Sequence, residues 1–72
     1  MKNAIMINID KDMLPVNRES LLADVRVFKG VSHAEIVYGL NYWLNVVYET
    51  KSINSYKILK QVRRFDKNAI IN

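Results

Sequence analysis

Lys57, Lys60, Arg64 and Lys67 recur every three or four residues, Arg63 adjoins them, and no acid interrupts the set before Asp66. Wound into a helix, that spacing gathers the cations on one flank. Such a flank can meet phosphates electrostatically, and it equally serves as the solvated outer face of a small domain. The other residues with chemistry to offer are few. His33 is the only histidine, which excludes two-histidine metal sites and relays. It shares a strand face with Glu35, a pairing that suits a pH-sensitive interface, a ligand contact or an ordinary surface. Asp10, Asp12 and Asp24 lack the glycine and the later glutamate of a calcium loop and read as solubilising loop acids. Ser20, Ser32, Ser52 and Ser55 sit in no nucleophile-elbow pattern. With no cysteine there is no disulfide, thiolate metal site or thiol nucleophile. The expectation is a protein that is not an enzyme and carries neither cofactor nor metal.

Residues of this kind need a scaffold, and the chain is short. Its 72 residues are half apolar and a quarter charged, a globular composition with a formal charge of +4. They suffice for one domain, residues 1–72, which buries only about 60% of the surface its unfolded chain exposes. No apolar run is long enough to span a membrane. The start, MKNAIMINID, has no secretory apolar region, so a cytoplasmic protein is expected.

Alternation and spacing place the elements. Residues 4–9, AIMINI, read as a strand with Ile5, Ile7 and Ile9 on one face and Ala4, Met6 and Asn8 on the other. A loop through Pro15 follows. Asn17 is placed as N-cap of a helix over 17–28, whose Leu21, Leu22, Val25 and Phe28 fall at helical spacing and which stops at Gly30. Residues 31–38 alternate again. Residues 42–49, YWLNVVYE, set Tyr42, Leu44, Val46 and Tyr48 against Trp43, Asn45 and Val47. The link through Gly39, Leu40 and Asn41 suits a hairpin in which glycine and asparagine accept positive φ. Ser52 is placed as cap of a basic helix 52–65 with a stripe of Ile53, Tyr56, Leu59 and Val62. A short strand at 69–71 closes the chain.

The order strand, helix, strand, strand, helix, strand predicts an α+β, ferredoxin-like βαββαβ sandwich with both helices on one face of an antiparallel sheet. Yet both strand faces carry apolar residues. Ile5, Ile7 and Ile9 oppose Ala4 and Met6, and Tyr42, Leu44, Val46 and Tyr48 oppose Trp43 and Val47, so the face without helices is too apolar for a monomer. The simplest cover is a second copy, sheet against sheet, so a homodimer or larger homo-oligomer is expected, with Trp43 as an aromatic interface anchor.

The run VFKGVSHAEIVYGLNYWLNVVYETKSINSYKILKQVRRFDK resembles the effector-binding RAM domain of Lrp/AsnC transcription regulators, which also occurs in archaea as a stand-alone form. The likeness lies in Gly30-Val31, in Ala34 with Val37-Tyr38-Gly39, and in Val62-Arg63-Arg64-Phe65-Asp66, and it covers nearly the whole chain. It implies dimerisation through the sheets into an α/β barrel, further assembly of dimers, and a small-molecule effector bound between dimers. It implies that the loop Tyr38, Gly39, Leu40, Asn41 and Tyr42 lines that cleft, with amides near the glycine receiving a ligand carboxylate. Where family members commonly carry an aromatic residue and then an aspartate, this chain has Asn41 and Tyr42. These bond to an amine without neutralising it, so free α-amino acids should bind weakly. The family's helix-turn-helix is missing from these residues.

One function is expected, and two others stand as alternatives to it. The first is an effector-binding and oligomerisation module that influences transcription by co-assembly with a full-length regulator. The second is a nucleic-acid-binding protein that uses Lys57, Lys60, Arg63, Arg64 and Lys67. The third is a small dimeric α/β-barrel enzyme, for which only Asn45 and His33 offer inward polarity.

Overall fold

In a computed structural model that describes residues 1–72, the chain runs as β1 (Lys2–Ile9), α1 (Pro15–Arg26), β2 (Val31–Val37), β3 (Tyr42–Glu49), α2 (Ser55–Val62) and β4 (Ile70–Ile71). The four strands form one antiparallel sheet in the order β2-β3-β1-β4. This is a small α+β fold, compatible with the ferredoxin-like arrangement. No helix is long and apolar enough to cross a membrane.

The strand alternation decides which side of the sheet the helices cover. Ile7, Ile9, Ala34, Leu44, Val46 and Tyr48 are buried and form one cluster with Leu21 and Val25 of α1 and Ile58, Leu59 and Val62 of α2. No polar side chain is buried there, as expected of a thin core that cannot offer partners to polar groups. The opposite residues of the same strands carry no helix. Across β1 and β3, Ala4 pairs with Val47, Met6 with Asn45 and Asn8 with Trp43. Across β2 and β3, His33 pairs with Val47, Glu35 with Asn45 and Val37 with Trp43. A register irregularity between Val31 and His33 lets this alternation resume after the turn at Gly30.

Both helices differ from the sequence reading at their ends. α1 begins at Pro15, two residues before the expected start. Proline at the first helical position loses no bond that the helix could have used, and Leu14 before it is held extended at φ −61, ψ 145. Asn17 is therefore inside the helix and caps nothing. Phe28 lies past the helix end and packs half-buried against the core. α2 is capped by Asn54, whose side chain accepts from the Lys57 amide at 2.8 Å, and not by Ser52. Its regular α-helix ends at Val62, and residues 63–65 continue as a turn in which the Arg63 amide still donates to the Leu59 carbonyl at 2.9 Å.

The stripe on α2 is also corrected. Tyr56 is 66% exposed, and Ile58 takes the buried place. A strict every-third pattern slips about 60° per step around a helix of 3.6 residues per turn. Tyr56 consequently rotates away from the face that Val62 defines, whereas Ile58 and Val62, four apart, stay on it.

Gly30 has φ +100, the only positive φ in the chain. Gly39 has none, which overturns the reason given for glycine in the hairpin. A Cβ at Gly39 would meet only the Asn41 carbonyl at 3.7 Å, an ordinary contact.

Candidate functional site

The β2–β3 hairpin and the start of α1 meet at one end of the sheet. Tyr38 is 58% exposed and Leu40 94% exposed, Gly39 and Asn41 are exposed, and Tyr42 is half-buried against the core. The rings of Tyr38 and Tyr42 meet edge to face with centroids 4.8 Å apart, a favoured aromatic geometry. The Arg18 guanidinium lies 5.7 Å from both ring centroids, within cation–π range. One of its nitrogens donates to the Met13 carbonyl, which ties the loop before α1 to the same group. Outside the helices and strands, no backbone hydrogen bond is donated by the amides of Gly39, Leu40 or Asn41. The hairpin thus presents undonated amides, two aromatic rings and one cation, the ingredients for holding a small carboxylate.

Four of the five hairpin residues are open to solvent, and Tyr42 anchors the loop. Arg18 was not among the residues singled out from the sequence. It belongs to the polar side of an amphipathic helix, and no periodicity signals which distant rings such a side chain will cover.

The basic residues divide. Lys57, Lys60 and Arg64 line a groove along α2 and the turn after it together with Gln61 and Phe28, with a volume of about 430 Å³. Arg63 and Lys67 lie outside it. The Arg63 Nε donates to the Ala69 carbonyl at 2.9 Å, so it fastens the turn before β4. Asp66 beside Lys67 is likewise structural: its two carboxylate oxygens accept from the amides of Asp10 at 2.9 Å and Asn68 at 3.0 Å.

Asp10 and Asp12 make a turn of their own, the Asp12 amide donating to Asp10 Oδ1 at 2.9 Å. No three His, Asp or Glu side chains gather as a metal site. His33 and Glu35 sit 3.5 Å apart on the helix-free face, both about half exposed. That face also holds Asn45, so neither polar residue points into an enclosed cavity in the single chain.

One carboxyl is perturbed. Glu49 is held below the usual carboxylate range, chiefly because the N-terminal ammonium of Met1 donates to it. Desolvation opposes this, and the Lys51 amide and the charges of the N-terminus and Lys2 reinforce it. The pair joins the first and third strands at the end of the sheet remote from the hairpin.

No protein-family model and no curated protein matches this chain.

Proposed function

We propose that this protein is an oligomerisation module that responds to a small carboxylate ligand, built like the stand-alone effector domains of Lrp/AsnC regulators and acting through assembly rather than catalysis. The observation that carries the reading is the helix-free face of the sheet. Its two central strands offer Met6, Trp43 and Val47. Val37 and Ile70, 42% and 56% exposed, extend the apolar surface toward both edges.

A second copy of the chain is the occupant that fits. The face is mixed rather than uniformly apolar, since Asn8, Asn45, His33 and Glu35 are interspersed with the apolar residues. A two-fold axis through such a surface brings each patch against its own copy, and one chain's carboxylates and amides find complementary groups on the other. Packing sheet on sheet then converts the dimer into an α/β barrel whose core supplements the thin core of each protomer.

The ligand reading rests on the hairpin. Amides of residues 39–41 without protein partners, beside the Arg18 guanidinium, favour a carboxylate. The tyrosine pair favours an apolar or aromatic body. Asn41 and Tyr42 supply neutral hydrogen bonds, so 2-keto or 2-hydroxy acids should bind better than the corresponding α-amino acids.

Calorimetry with such a matched panel tests this, on the wild type and on Gly39→Val. The structure leaves room for a side chain at residue 39, so the variant keeps its fold while its isopropyl group shades the neighbouring amides. Loss of binding in Gly39→Val is expected. Equal binding in a folded, assembled variant would place the ligand elsewhere.

A further inference from the structure

The groove along α2 and the turn after it, walled on one side by Phe28, lies on the helix layer, on the opposite side of the molecule from the proposed interface. Three cations line it, Lys57, Lys60 and Arg64, and none of them has a salt-bridge partner. The one carboxylate known to reach its wall is Asp24, which accepts from Gln61 Nε2 at 3.1 Å. The groove therefore carries an excess of positive charge. Its only hydrophobic lining residue is Phe28, which the end of α1 delivers from beyond its last turn.

We infer that this groove binds a nucleoside phosphate. Lys57 and Lys60 lie about 4.5 Å apart along α2 at the helical rise of 1.5 Å per residue, and Arg64 continues the row in the turn beyond Val62. Such a cationic row suits successive phosphates running along it. The Phe28 ring offers a base a stacking surface, which is tolerant of base identity because every base has a π-face. The Gln61 carboxamide keeps a carbonyl oxygen and a second N–H for a base edge. The volume of about 430 Å³ lies in the range of small-ligand pockets. An acidic peptide would satisfy the cations but make no use of the part of the Phe28 ring that core packing leaves open. The shared chemistry, phosphate plus aromatic base, is available from a free nucleotide or from a single strand of nucleic acid.

The test uses the complete chain at low salt. ATP and inorganic tripolyphosphate are titrated by calorimetry, and a labelled single-stranded RNA is followed by fluorescence anisotropy. Lys57→Glu/Lys60→Glu is expected to weaken binding at least about tenfold. Lys11→Glu/Lys51→Glu, the same charge change outside the groove, should alter it less than about twofold. Asp24→Asn, which keeps an acceptor for Gln61, should tighten binding, and Phe28→Leu should weaken ATP and RNA but not tripolyphosphate. Three phosphate-contacting cations give a slope near −2 for log affinity against log salt, at about −0.7 per contact on a single strand. Binding of ATP and RNA alike identifies the free nucleotide as sufficient, and binding of RNA alone identifies the strand as the source; either supports the site. Absence of all binding, or equal loss in both double charge reversals, overturns it. Tripolyphosphate matching ATP in affinity overturns the role of Phe28 and with it the nucleoside assignment.

Discussion

A Cβ placed on Gly30 would lie 2.6 Å from the Cβ of Ser52. The turn that feeds β2 and the turn that feeds α2 therefore touch at a point where only glycine fits. The Glu49 amide also donates to the Gly30 carbonyl at 2.7 Å. With φ at +100, residue 30 meets a steric and a conformational demand at once.

Gly30→Ala is accordingly expected to destabilise the protein by several kcal/mol, since a strained backbone site alone costs about 1–3 kcal/mol and the clash adds to it. Gly39→Ala, with neither demand, should change stability by less than about 0.5 kcal/mol. Urea denaturation of the two variants measures the difference. Equal effects would contradict the assignment of the conformational constraint to Gly30.

Trp43, the only tryptophan, reports directly on the helix-free face. Its emission should shift to the blue and its quenching by iodide should weaken as protein concentration rises through the assembly range. Emission that is independent of concentration, with free access to iodide, would show that no partner copy covers this face.

Trp43→Ala should weaken self-association by at least about 2 kcal/mol, the scale of an aromatic interface anchor. Tyr56→Ala, an aromatic truncation on the exposed side of α2, should leave association unchanged and stability within about 0.5 kcal/mol. A concentration series by light scattering on both variants distinguishes an interface role from a general loss of aromatic area.

The Glu49 carboxyl is held low in the folded protein, so the N-terminal pair stabilises the fold above the usual carboxylate range. That contribution disappears as pH falls through the lowered value. Acetylation of Met1 should return the Glu49 titration, followed by NMR, toward the ordinary carboxylate value and should flatten the acid side of the stability profile. An unchanged titration after acetylation would assign the shift to Lys51 and Lys2 instead.

The strands were legible from the sequence because alternation survives in an edge or a half-covered sheet: Tyr42–Glu49 and the opposition of Leu44 to Trp43 are as the pattern predicts. The helix boundaries were less so. Pro15 reads as punctuation when it in fact starts α1, and a stripe of threes on α2 names Tyr56 where the geometry of a real helix names Ile58. At the hairpin, residues 38–42 could be found but Arg18 could not, and in the groove the cations could be found but Phe28 could not. In both cases the missing residue arrives from another element, and only the packing of α1 against the rest brings it there.

The mass of the wild-type protein in solution, measured by sedimentation equilibrium over a wide range of concentration, tests the central claim most directly. A species of at least twice the 8.4 kDa of one chain is expected, dissociating only on dilution, with a thermal midpoint that rises with concentration and with Trp43→Arg shifting the equilibrium to single chains. A monodisperse single chain at every concentration, melting at one temperature throughout, would contradict it.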